Sequence, residues 1–140
     1  MLTDIYTDLT TRITDALDDR TESRTVEYGA LDDVLAQAAV HDVTIALDPA
    51  GSEWEVSGDA ADITLVSQEF TVGVHVEGVP DLRVTTMAVI DAITRALHGE
   101  WTDDSPTKVM YFIRSVSHGT STQSTDRYTI TLTAETYYYA

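Results

Sequence analysis

The chain has 140 residues, 24 of them Asp or Glu against 8 Lys or Arg, for a formal charge of −16. That length suits one domain with a real hydrophobic core, and an apolar content of 43% excludes wholesale disorder. No run approaches the roughly 18 apolar residues that a membrane span needs, and the absence of cysteine excludes disulfides, thiolate metal sites and cysteine nucleophiles.

Such an acidic surface repels nucleic acid phosphates and anionic membranes unless a basic patch intervenes. Arg12, Arg20, Arg24, Arg83, Arg95, Arg114 and Arg127 are dispersed, and Lys108 is the sole lysine. The charge fits either an acidic mimic of DNA or adaptation to concentrated salt, where the Debye length falls to about 3 Å at 1 M. Near-absence of lysine, with many small residues and threonines, favours the second.

The N-terminal stretch is acidic and periodic, without the basic region and apolar block of a signal peptide. Ile5, Leu9, Ile13 and Leu17 recur four apart, which predicts an amphipathic helix over Asp4 to Leu17. Thr3 or Asp4 suits its positive end, and Asp18–Asp19 opposes its dipole at the other. Arg20 to Tyr28 reads as a short edge strand or a loop. Leu31, Val34, Leu35, Ala38 and Ala39 suggest a second, weaker helix. Val43 to Leu47 reads as a short strand ended by Asp48 and Pro49, and the 48–61 region that follows as a variable loop or small hairpin around Trp54.

From Phe70 the alternation is strict, with Phe70, Val72, Val74 and Val76 on one side and Thr71, Gly73, His75 and Glu77 on the other. The parity changes between Leu65 and Phe70, so a bulge or turn is expected at Ser67–Gln68–Glu69. Asp81 to His98 is the element the rest folds around. Leu82, Val89, Ile93, Ala96 and Leu97, with Met87 and Ile90 beside them, make its apolar face, and Gly99 follows as a C-cap. Val109 to Val116 lacks a clean polar face, as a strand covered on both sides would. Residues 117–126 read as an extended, flexible hairpin tip, and Tyr128 to Tyr138 as a half-buried closing strand. The whole predicts a single α+β domain over 1–140, a small twisted, mainly antiparallel sheet with two to three helices packed against it.

The residues offer little chemistry. His41, His75, His98 and His118 share no helix face at metal-ligand spacing, and His98 reads as a helix-end residue meeting the dipole. Paired carboxylates such as Asp32–Asp33 and Asp103–Asp104 are too numerous to mark a site, and none matches a calcium loop. Ser117–His118 adjoin, but neighbours on an extended tip point apart; there is no nucleophile elbow, phosphate loop or dinucleotide fingerprint. The expectation is no enzyme, no metal and no cofactor, with function in surface and shape. Trp54 and Trp101, each among acids, either anchor another subunit or cap their own core.

An N-terminal amphipathic helix (TDIYTDLTTRITDALDD), an alternating strand (EFTVGVHVEG), the helix LRVTTMAVIDAITRALHGEW, the strand KVMYFIRSVSHG and the closing strand DRYTITLTAETYYY follow in that order. Together they resemble the tail-terminator, or tail-completion, proteins of long-tailed viruses, and the acidic bias suggests a virus of a halophilic archaeon. The resemblance covers most of the chain in layout, with no invariant chemical residue.

It implies a virion protein that forms a homohexameric ring at the head-proximal end of the tail, stops tube polymerisation and presents the surface that joins the neck. Its partners would be its own copies, the tail tube protein and a neck or connector protein. DNA would pass an acidic lumen without specific binding, with no membrane involved and the host cytoplasm as the place of assembly. The fold implied is a twisted sheet with helices against one face. The strands over 109–116 and 128–138 would supply ring contacts, and the 117–126 tip would reach a neighbour. Trp54, Trp101, Tyr111, His118, Gln123, Arg127, Tyr137, Tyr138 and Tyr139 are therefore candidate subunit-interface residues. A neck connector or head-completion ring, or a non-viral acidic binding module, fits the same features.

Overall fold

The computed structural model describes residues 2–37, 40–57, 63–100 and 108–139. Its helices are α1 (Leu2–Ala16), α2 (Leu31–Gln37) and α3 (Leu82–Leu97). Its strands are β1 (Arg24–Tyr28), β2 (Val43–Ser57), β3 (Ile63–Glu77), β4 (Val109–His118) and β5 (Thr125–Tyr139). They form one sheet in the order β1-β2-β3-β5-β4, antiparallel except where β1 pairs with β2. This is the α+β class expected from the sequence.

The apolar stripe of α1 buries Ile5, Leu9, Ile13 and Leu17, and α3 buries Thr86, Val89, Ile90, Ile93 and Leu97. Both close over Ile45, Leu47, Phe70, Val72, Val74, Val76, Ile130 and Leu132. Each fully buried aliphatic side chain contributes about 1.5–3 kcal/mol to stability. Asp81 stands at the start of α3 in the left-handed conformation (φ 50°) and makes no side-chain cap. Gly99 (φ 75°) ends the helix as expected, and its N–H reaches across to the Tyr111 carbonyl. His98 does more than meet the dipole: its Nδ1 accepts the Ile113 N–H, tying the helix end to β4.

The helices do not share one face, as the family resemblance implied. A Cβ on Gly73 would stand 2.9 Å from Cβ of Leu31, so α2 lies against the side of β3 opposite Val72 and Val74. Connectivity explains this. The β1-α2-β2 and β3-α3-β4 crossovers step the same way along the sheet, but their strands run in opposite directions. Two crossovers of one hand must then lie on opposite faces. Thr44, Ala46 and His75 are accordingly buried beneath α2.

Three sequence expectations are corrected. The strand from Val43 does not stop at Pro49 but runs to Ser57, so of the loop and small hairpin read for this region the hairpin is nearer, with 48–57 as one arm of a longer one made with β3. Because β1 ends opposite Leu47, Pro49 has only one paired neighbour, where a missing N–H is tolerated. The bulge expected at Ser67–Glu69 lies instead in β2, between Pro49 and Ser52. Gln68 occupies the inward slot between Val66 and Phe70, buried, and its amide donates to the Gly51 and Glu69 carbonyls, satisfying the bulge. Met87, counted with the apolar face of α3, points outward and is 62% exposed.

Candidate interaction surface

The nine candidate interface residues have separate fates. Tyr111 is fully buried, and its hydroxyl donates to Asp8 Oδ2 at 2.6 Å beneath the Arg12 guanidinium. Burial, helped by the Asp8 carboxylate, pushes the phenol far above its ordinary range, so it stays a donor. It therefore locks α1 to β4 within its own subunit. Val109 and Tyr111 are thus the inward residues of β4, while Met110 and Phe112 stand on its other side. Trp101 lies outside the described residues, as do the side chains of Tyr137, Tyr138 and Tyr139, whose backbone pairs with Ile63–Leu65.

Arg127 works on the α2 face. Its Nε donates to His75 Nδ1 at 3.0 Å and its guanidinium reaches Asp32 at 2.9 Å, clasping β5, β3 and α2 together. Burial, together with the nearby Arg127 charge, lowers the His75 pKa below its ordinary value of 6.5. The ring is thus neutral, with Nε2 toward Glu77 at 3.6 Å.

The expected flexible excursion over 117–126 is instead short and fastened. Ser117 and His118 belong to β4 and Thr125 and Asp126 to β5, leaving 119–124 as the turn. His118 stacks on Tyr128 and bonds Asp126 at 2.7 Å. Arg83 of α3 pairs with Asp126 at 3.1 Å and donates to the Thr122 and Thr125 carbonyls. Asp126 is 1% exposed. Burial drives its carboxyl pKa upward, but His118 and Arg83 outweigh that and hold it below the usual value. Gln123 sits exposed on the turn and lines a shallow groove of about 300 Å³ with Asp81, Leu82, Arg83 and Val84.

The larger feature was not singled out from the sequence. Met87, Ala88, Ile90, Asp91, Thr94, Val116 and Tyr128 line a mainly apolar groove of about 530 Å³ between α3 and the β4 edge. Val84 beside it is 69% exposed and Val116 43%. The available signal was that Val84 and Met87 lie off the Val89–Ile93–Leu97 stripe, so α3 cannot bury both sets at once. At the other end of the sheet, Trp54 is 57% exposed on β2 between the exposed Glu53 and Glu55. Among the described residues there is no cluster of His, Cys, Asp or Glu able to hold a metal ion, and no helix is long and apolar enough to cross a membrane.

No protein-family model matches the sequence, and no curated protein matches it. Among solved structures, a chain in the virion of a native gene transfer agent particle is similar in fold. The TM-score is 0.62, covering 93% of this chain and 92% of that chain, at 10% identity. At that identity the likeness is one of fold.

Proposed function

We propose that this chain is a structural virion protein of the tail-terminator type. It forms a ring that caps the head-proximal end of a viral tail tube, stops its polymerisation and offers the joining surface to the neck. The observation that carries the reading is the end-to-end fold likeness to a chain of a gene transfer agent virion, which spans nearly the whole of both chains. The side chains agree with it. The polar clusters at Tyr111–Asp8, Arg127–His75 and Asp126–Arg83 are each spent on holding one element to another. The charge of −16 would let DNA pass the lumen by repulsion. In this reading the partners are further copies of the chain, the tube protein and a neck protein, the work is mechanical rather than catalytic, and the setting is a virus of a halophilic archaeon.

The test is the mass of the purified protein by light scattering in molar potassium chloride, followed by addition of preassembled tail tubes. The expected result is a discrete ring of about six 15.4 kDa chains, seen by negative stain at one tube end. A protein that stays monomeric in salt and leaves tube ends bare overturns the reading. Rings that bind the portal rather than the tube would move the protein to the neck.

A further inference from the structure

We infer that His98 is a proton-operated latch between α3 and β4. Neutral, it accepts a backbone N–H of the strand; protonated, it releases the strand and serves the carbonyl end of its own helix. The latch belongs to the single chain and stands apart from the ring reading.

It closes a strip of chain that runs beside β4 as a short extra strand would. After Leu97 the chain turns at Gly99 (φ 75°), whose N–H donates to the Tyr111 carbonyl at 2.8 Å. The Tyr111 N–H in turn donates to the Glu100 carbonyl at 2.9 Å. The next outward amide, that of Ile113, donates to a side chain instead, His98 Nδ1 at 3.1 Å. The register then shifts between Ile113 and Ser115. Further on, the Gly119 N–H donates to the Arg127 carbonyl, so by antiparallel alternation Ser115 and Ser117 bond toward β5. Val116 and His118 therefore turn their backbone groups outward. Opening the latch lengthens that outward edge from 116–118 to 113–118.

A ring nitrogen that accepts a hydrogen bond carries no proton, so neutral His98 bears its hydrogen on Nε2. Protonation at Nδ1 removes the acceptor and sets N–H against N–H, so the bond is lost outright. The cation has a second role within reach. His98 follows directly on the last residue of α3, and its own N–H donates to the Thr94 carbonyl at 2.9 Å. A positive charge is favoured at that end of a helix. The ring is exposed, so it turns without disturbing the core, while buried Val89, Ile93 and Leu97 keep α3 docked. The cations of the neighbouring elements are ion-paired: Arg95 with Asp91 on α3, Arg114 of β4 with Glu135, and Arg12 with Asp8 on α1. Glu100, which lies in the field of Arg12, adds to the pull on an imidazolium two residues away. His118, at the far end of β4, is tied to Asp126. What the strand loses the helix end regains, so the exchange is local.

The test follows the Ile113 amide by NMR hydrogen exchange in the full chain, in constant molar salt, over about pH 5 to 8, where imidazoles titrate. Rates are corrected for the intrinsic pH dependence of exchange. Protection of Ile113 should fall about five-fold or more as His98 takes up its proton, while Tyr111, held by a backbone carbonyl, keeps its protection. The nitrogen chemical shifts of the ring should place the neutral hydrogen on Nε2. His98→Asn offers a carbonyl oxygen in place of Nδ1 and does not titrate, so it should keep Ile113 protected throughout. His98→Ala should leave Ile113 weakly protected at every pH. Protection that stays flat across the His98 titration overturns the latch, and so does a step that persists in His98→Asn. Equal loss at Tyr111 and Ile113 would replace it with fraying of the whole corner, and a neutral ring protonated on Nδ1 would rule it out.

Discussion

On the face covered by α1 and α3, the inward positions of β3 from Val66 to Val76 are aliphatic or aromatic except for Gln68, and dry packing holds the layers together. On the face covered by α2, the buried positions are Thr44, Ala46 and His75, above a glycine, and the short helix is retained by Leu31 on Gly73 and by the Asp32–Arg127–His75 chain. The first face draws most of its stability from buried area, with the Tyr111–Asp8 and Arg83–Asp126 contacts as polar clasps at its rim. The second depends on close approach and on a charge arrangement, so it should respond to both a methyl group and a proton.

The largest expected effect is on the dry face. Phe70 is fully buried at the centre of the sheet, so Phe70→Ala should cost about 3–5 kcal/mol, read as a lower urea midpoint in constant salt. Loss of much less would mean that α1 and α3 pack loosely, and the contrast between faces would collapse. A smaller and more local effect is expected at Gly73. Its new Cβ would stand 2.9 Å from Leu31 Cβ, closer than packed carbons come. Gly73→Ala should therefore shift α2 and cost about 1–3 kcal/mol. Amide exchange should quicken over Leu31–Gln37 while α3 keeps its protection. Equal loosening of both helices would show that the two faces are not independent.

The same contrast explains what could be read in the chain beforehand. The stripes Ile5–Leu9–Ile13–Leu17 and Val89–Ile93–Leu97 are uninterrupted, and period alone places both helices on the sheet. The α2 face is hidden because Thr71, Gly73, His75 and Glu77 look like a solvent-facing set. Burial of His75 depends on Arg127, 52 residues away in sequence. Gln68 misled in a related way: a polar residue in an inward slot imitates a change of parity, when its amide serves the bulge in the neighbouring strand. The interaction surface was hidden for a different reason. Apolar periodicity on α3 marks a buried face, but Val84 and Met87 differ from Val89 only in which way they point once the helix has docked.

The proton response should be the smallest of these effects and the most diagnostic. Nδ1 of His75 accepts from Arg127, and protonating it would break that bond and set two cations about 3 Å apart, with the Glu77 carboxylate at 3.6 Å too distant to compensate. The folded pKa is therefore below the ordinary 6.5. Between those two values the unfolded chain holds a proton that the folded chain does not, so stability rises with pH there and is complete above about pH 6.5. Asp126 adds a second loss in stronger acid, because its folded pKa is held below the usual 3.8 and the His118–Arg83 clasp is lost as the carboxyl protonates. A urea midpoint followed against pH should accordingly fall in two steps, and His75→Gln should flatten the first while leaving the second. Gln can accept the Arg127 bond through its own carbonyl without taking up a proton. If the first step survives that substitution, the α2 clasp is not its source, and another titrating group must account for it.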